Sequence, residues 1–262
     1  MTRTVDTDDG IAIEYEVYGT GQLTLLFLHG WGNAASAWDD FLTAHLNLTG
    51  LRCVAASYRG HGGSGTARCG YTHERFARDM FAVADAVEAR RFVMVGFSMA
   101  GKFGRYMPYL HPARVLGQVL IAPAGPEKLR VPREAFIPWL EAAPHPERFR
   151  QILLPFTRQE IRPDLLDLYC RNVSLATRAG LEGTIDMFYE PIQDNVRNIR
   201  TPTLIIAGEV DPLFNPEYIN KSVLATTTNA RAVFLPCGHE IPFEMPSETA
   251  SLLEAYLAGL HC

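Results

Sequence analysis

Val93-Met94-Val95-Gly96-Phe97-Ser98-Met99-Ala100-Gly101 is the stretch that decides the fold. An apolar run of strand character enters a Gly-x-Ser-x-Ala-Gly turn, and a helical stretch follows it. A serine on such a turn is held in strained backbone geometry, so the residues two positions away on either side must be small. Gly96 meets that demand on one side. Ala100 stands where glycine would be the ordinary choice on the other, a departure of one methyl. The turn lifts Ser98 Oγ above the sheet at a helix start, where the N–H of Met99 can point at a developing oxyanion. Taken alone, the pattern also suits a tight strand–helix connection with no chemistry.

Outward from this turn, short apolar runs recur at Leu23–Leu28, Cys53–Ala56, Phe92–Phe97, Val115–Ala122, Thr203–Ala207 and Ala232–Leu235. Turn residues and helical stretches separate them, at Ala35–Leu48, His73–Ala89, Met99–Leu110, Pro216–Ala225 and Ser247–Leu260. Strands that are apolar throughout and spaced by helices predict a mostly parallel sheet covered on both faces, an α/β fold. Asp9-Gly10 is a hairpin signal before the alternating Ile11, Ile13, Tyr15 and Val17, so antiparallel strands open the chain.

One segment breaks the rhythm. Prolines at 126, 132, 138, 144, 146, 155, 163 and 191 chop Pro126–Asn195 into short helical pieces without a strand. Its large apolar residues predict a helical cap over the carboxyl ends of the strands, since so long a structureless loop is uncommon in a compact domain. The expected division is a core of residues 1–125 and 196–262, with a cap of 126–195 inserted after the strand ending near Ala122. Phe136, Trp139, Phe156, Met187 and Phe188 are the cap residues expected at a substrate pocket, although any one of them could equally fill the cap's own core.

Three further loops carry candidate chemistry. His29-Gly30-Trp31-Gly32 ends an earlier strand, where glycine lets the chain approach a reacting carbonyl; the N–H of Trp31 is the candidate second oxyanion donor, and its side chain would line the pocket. His29 is read as bonded to nearby backbone. Gly208-Glu209-Val210-Asp211 ends a buried strand with two acids, of which Asp211, further out on the loop, is preferred over Glu209 to orient a histidine. Gly238-His239 follows the last strand and completes the order Ser98, Asp211, His239.

Composition excludes other classes. Net charge is −5 with Lys and Arg scattered, so no basic face is offered to nucleic acid or anionic lipid. No apolar run approaches the ~20 residues needed to span a bilayer, and the first ten residues have no apolar core for a signal peptide. The five cysteines (Cys53, Cys69, Cys170, Cys237, Cys262) form no C-x-x-C cluster, which suits free thiols and a cytoplasmic location. No metal cluster or phosphate-binding glycine loop suggests a metal or cofactor.

The four signals His29-Gly30-Trp31, Gly96-Phe97-Ser98-Met99-Ala100, Gly208-Glu209-Val210-Asp211 and Gly238-His239, in this order, resemble the α/β-hydrolase superfamily over essentially the whole chain. His-Gly-Trp with Gly-Phe-Ser-Met is most similar to the bacterial arylesterase, cofactor-free haloperoxidase and enol-lactonase group. The resemblance implies a Ser98–His239–Asp211 triad and an oxyanion hole from the N–H groups of Trp31 and Met99. Tyr58-Arg59-Gly60-His61-Gly62 resembles the family's Asp-x-Arg-Gly-x-Gly turn, with Ser57 where the acid would stand. The expected activity is hydrolysis of a small, largely apolar carboxylic ester or lactone, with that acyl compound as partner and neither nucleic acid nor membrane. Two alternatives stand beside it: a carbon–carbon hydrolase of ring-cleavage diketones, and a ligand receptor retaining a vestigial triad. Oligomeric state is not encoded in any of these motifs.

Overall fold

The apolar runs form one eight-stranded sheet in the order β1-β2-β4-β3-β5-β6-β7-β8. The strands are β1 Arg3–Asp6, β2 Ala12–Tyr18, β3 Leu23–Leu28, β4 Leu51–Ala56, β5 Phe92–Phe97, β6 Val115–Ile121, β7 Thr203–Gly208 and β8 Ala230–Leu235. β1 and β2 pair antiparallel, β2 meets β4 antiparallel, and every later pairing is parallel. The computed structural model describes residues 2–192, Val196 and residues 200–260. Asn195, the expected end of the cap, and Cys262 lie outside the described residues.

β5 shows why these strands read as apolar throughout. All six of its residues are buried. Phe92 and Met94 enter one core layer with Phe76, Met80 and Phe103, while Val93, Val95 and Phe97 enter the other with Trp38, Phe41 and Leu253. A strand covered on both faces has no polar side to show. Each such side chain contributes about 1.5–3 kcal/mol of transfer free energy.

Helix α1 spans His73–Ala86 and starts on Thr72, whose Oγ1 accepts the Arg75 N–H at 3.1 Å. It stops three residues before Ala89. Glu88 turns to φ +57°, and the N–H groups of Glu88 and Ala89 reach back to Asp85 O and Ala84 O, a Schellman ending that carries the chain towards β5. The helix expected over Met99–Leu110 is split into α2 Ala100–Phe103 and α3 Tyr106–Leu110. Pro108 has no N–H to give to the Gly104 carbonyl, so the ladder breaks there. The stretches expected as helices at 35–48 and 216–225 are instead runs of short 3₁₀, α and π turns. In the first of these, Trp38, Phe41 and Leu42 are all turned to the sheet beside Phe27.

Between β6 and β7 the described residues contain helices and no strand. They are a 3₁₀ turn at Arg133–Phe136, then α4 Ile137–Ala142, α5 Pro146–Leu153, a 3₁₀ turn at Leu154–Phe156, α6 Pro163–Leu175 and α7 Arg178–Tyr189. Pro138, Pro146 and Pro163 each sit in a first helical turn, where a missing N–H costs nothing. Lys102, buried on α2, holds the insertion at both ends, donating to Glu127 O at 3.0 Å and Phe188 O at 2.6 Å. No helix among the described residues is long and apolar enough to cross a membrane.

Strand order places the working end. β3 lies between β4 and β5, so the chain leaves β3 in one direction and later returns on its other side. The loops after β3 and β5 therefore diverge at the sheet's carboxyl edge and leave a crevice, where ligands of open α/β sheets bind.

Candidate active site

Ser98 sits at the mouth of that crevice with φ +54°, one of three non-glycine residues with positive φ among those described. Its N–H is tied to Ile121 O at 2.8 Å, and its carbonyl accepts from Gly101 and Ala124 at 3.0 Å each. These bonds hold the strained turn in place. The demand for small neighbours is visible in the distances. A Cβ on Gly96 would lie 3.0 Å from Ala100 Cβ, so the methyl of Ala100 is tolerated because Gly96 has none. Gly101 is more tightly constrained, since its Cβ would meet Pro123 Cβ at 2.3 Å.

The loops after β7 and β8 bring two more side chains to Ser98. His239 Nε2 is 3.0 Å from Ser98 Oγ, and His239 Nδ1 is 2.7 Å from Asp211 Oδ2. A carboxylate only accepts, so Nδ1 carries the proton and Nε2 is left bare towards the serine hydroxyl. Asp211 Oδ1 accepts from the N–H groups of Leu213 at 2.7 Å and Phe214 at 3.0 Å. Glu209, the competing acid, is exposed. Burial presses the Asp211 pKa upward, but the charge and hydrogen bond of His239 bring it below the ordinary carboxylate value. Burial likewise opposes charge on His239, and Asp211 outweighs it, so the imidazole titrates above its ordinary value.

Gly30 brings the β3 loop against this group: a Cβ there would lie 2.8 Å from the Phe97 ring and 3.6 Å from Ser98 Cβ. Neither the Trp31 N–H nor the Met99 N–H bonds an acceptor among the described residues. His29 is bonded as the sequence suggests. Its Nδ1 donates to Gly30 O at 2.7 Å and its Nε2 accepts the Tyr58 N–H at 3.2 Å. Burial, with His61 nearby, pushes its pKa well down.

A cavity of about 260 Å³ opens over Ser98 and His239. Trp31, Phe136, Trp139, Phe156 and Phe188 line it, five of the six expected pocket residues. Met187 does not. It is buried on the other side of α7, facing Tyr71, Phe76 and Met80, because adjacent positions on a helix point about 100° apart and Phe188 takes the cavity side. A wider groove of about 580 Å³ lies at the opposite ends of β6–β8, between Arg91 and Arg231, and contains none of these groups. No set of three His, Cys, Asp or Glu side chains suited to a metal ion occurs among the described residues.

Several residues at the site carry no motif. Leu129, Val131, Leu213 and Phe214 complete the apolar wall, and Phe97 and Phe214 pack their rings 5.4 and 5.5 Å from that of His239. The histidine loop is fastened to the insertion. Its N–H at His239 donates to Phe156 O at 2.7 Å, and the Glu244 carboxylate gathers the N–H groups of Arg158, Gln159, Gly238 and Glu240 at 2.6–3.0 Å. Glu14 supplies the acid missing at Ser57: its Oε2 accepts from Ser57 Oγ at 2.7 Å and Gly63 N–H at 2.8 Å. For Glu14 and Glu244 the only sequence signal was a carboxylate beside apolar residues, and the wall residues had none.

With that geometry in view, the likenesses to known proteins are specific. A family model described as alpha/beta hydrolase fold matches residues 24–246. The chain is 28% identical to a non-heme haloperoxidase of Rhodococcus erythropolis over 88% of this chain and 90% of that protein. It is 27% identical to a 2-hydroxy-6-oxononadienedioate/2-hydroxy-6-oxononatrienedioate hydrolase of Paraburkholderia xenovorans, over 98% and 94%. Among solved structures it is similar to an esterase from Exiguobacterium antarcticum, with TM-score 0.88 at 20% identity over 99% of this chain and 100% of that one, a likeness of fold alone.

Proposed function

The chain belongs to the α/β-hydrolase family and is a hydrolase of that family, and from this premise we propose that it cleaves small, largely apolar carboxylic esters or lactones through an acyl-enzyme on Ser98. The observation that carries this reading is the relay Ser98 Oγ–His239 Nε2–Nδ1–Asp211 Oδ2, at 3.0 and 2.7 Å, beneath an apolar cavity. His239 takes the serine proton as Oγ attacks the substrate carbonyl, and Asp211 holds the imidazolium that forms. The N–H groups of Trp31 and Met99 receive the oxyanion. His239 then protonates the departing alcohol oxygen and activates water to release the acid.

In this proposal residues 126–195 act as a cap that selects the acyl group, and residues 1–125 and 196–262 form the catalytic core. A cavity of about 260 Å³ is at the small end for ligand sites and favours compact substrates. The likeness to a dienedioate hydrolase supports a second reading, carbon–carbon bond cleavage. Against a doubly charged substrate, the cavity wall has no lysine or arginine among its described residues and includes an acidic residue, Glu240. An aligned relay supports turnover over a receptor with a vestigial triad.

The test is hydrolysis of p-nitrophenyl acetate and short lactones, with a ring-fission diketone as comparator. Ser98→Ala lowers kcat by about 10³-fold or more, and a fluorophosphonate probe labels the chain once, at Ser98. Labelling elsewhere, or near-wild-type turnover in Ser98→Ala, refutes the mechanism; faster cleavage of the diketone favours the second reading.

A further inference from the structure

Glu240 follows His239 directly and lines the same cavity, yet the relay does not use it. It is 2% exposed. Its Oε1 accepts one long hydrogen bond, from Tyr169 Oη at 3.4 Å, and its buried Oε2 has no partner among the described residues. Beyond the Tyr169 hydroxyl, no side chain among the described residues donates to it. Glu244 is an acid already filled by four N–H groups, and His239 and Asp211 are engaged with each other. A buried carboxyl left in this state costs free energy that leucine or methionine would avoid, so its presence calls for a ligand or a structural use.

Building on the ester or lactone hydrolase reading, we propose that Glu240 recognises a hydrogen-bond donor, a hydroxyl or an N–H, carried by the substrate in addition to its reacting carbonyl. The preferred compound is then a short acyl ester or lactone with one polar substituent in an otherwise apolar frame. Burial pushes the Glu240 carboxyl up to about 7. Near neutrality it is present both ionised and protonated, and in either form an oxygen can accept from the substrate.

The experiment compares p-nitrophenyl butyrate with its 2-hydroxy and 3-hydroxy derivatives. The wild-type protein favours at least one hydroxylated ester by about tenfold or more in kcat/KM, as a hydrogen bond to a charged group allows. That preference falls below about twofold in Glu240→Met, an apolar replacement of similar shape that a buried ionisable site commonly tolerates. Glu240→Ala is measured alongside, and whichever variant retains a cooperative melt is read. Wild-type discrimination against both hydroxylated esters, or a preference that survives loss of the carboxyl, overturns the proposal and leaves Glu240 as the partner of Tyr169 alone. Failure of the wild type to cleave even butyrate overturns the hydrolase reading instead.

Discussion

Asp211→Asn replaces one oxygen by an amide NH2, and the hydrogen bonds around Asp211 determine its effect. The asparagine oxygen can still accept from Leu213 and Phe214, which Asp211 Oδ1 does now at 2.7 and 3.0 Å, so the turn survives. The new NH2 faces His239 Nδ1 across the 2.7 Å that Oδ2 spans. Two donors cannot share that bond. The imidazole is driven to the tautomer with its proton on Nε2, which faces Ser98 Oγ at 3.0 Å and can no longer take the serine proton. The carboxylate that held the imidazolium is lost as well. The expected fall in kcat on p-nitrophenyl acetate is about 10³–10⁴-fold, or about 4–5.5 kcal/mol, with a melting temperature close to wild type. The pH profile gives a second reading. Burial lowers the His239 pKa and Asp211 more than reverses this, so His239 titrates above 6.5 in the folded protein. Catalysis needs the neutral ring, so wild-type kcat/KM rises with pH through a midpoint above 6.5. Without the carboxylate the burial effect remains, and the residual activity of the variant has its midpoint at lower pH. A kcat within tenfold of wild type, or a larger loss in Glu209→Gln, refutes this assignment.

Gly101→Ala places a methyl 2.3 Å from Pro123 Cβ and 2.8 Å from its Cα; overpacking of about 1–3 kcal/mol should appear as a lower urea midpoint, and an unchanged midpoint would contradict the packing described. Trp139 meets Trp31 and Phe156 edge-on at 6.1 and 5.0 Å, so Trp139→Ala should enlarge the cavity and raise kcat/KM for p-nitrophenyl hexanoate relative to acetate by about tenfold, within the range open to extra methylenes in a pocket; an unaltered ratio would remove Trp139 from the selecting wall. Glu240 keeps its proton up to about 7 when folded, against 4.5 for an ordinary glutamate, so the folded state binds more protons across that window and its stability declines as pH rises through it. Glu240→Gln removes this contribution, so its melting temperature should fall less than that of wild type between pH 4.5 and 7; parallel curves would show that Glu240 is not buried as described.

Much of the site was legible because its constraints are local. A strand buried on both faces is mainly apolar, so β3 and β5–β7 announced themselves, and a strained serine turn needs Gly96 and a small residue at 100. The chain order of Ser98, Asp211 and His239 reflects three loops at the same edge of one parallel sheet. Helix boundaries were less legible, because Glu88 ends α1 through hydrogen bonds that its neighbours' composition does not reveal.

What only the tertiary structure decided is which distant groups meet. Met187 and Phe188 are both large and apolar, and only the docking of α7 turns Phe188 to the cavity and Met187 to Tyr71 and Phe76. Glu14 stands in for the acid absent at Ser57 from a strand more than forty residues away. Lys102 and Glu244 fasten the insertion to the segments that carry Ser98 and His239, and Glu240 lines the cavity with one oxygen unpaired among the described residues, through contacts that no short window of sequence contains. The sequence alone determined the strands, the strained turn and the order of the candidate triad, because backbone sterics and two-faced burial act within a few residues. Pairing of polar groups is satisfied only once the chain has closed on itself, so the wall of the pocket and its unpaired carboxyl belonged to the tertiary structure.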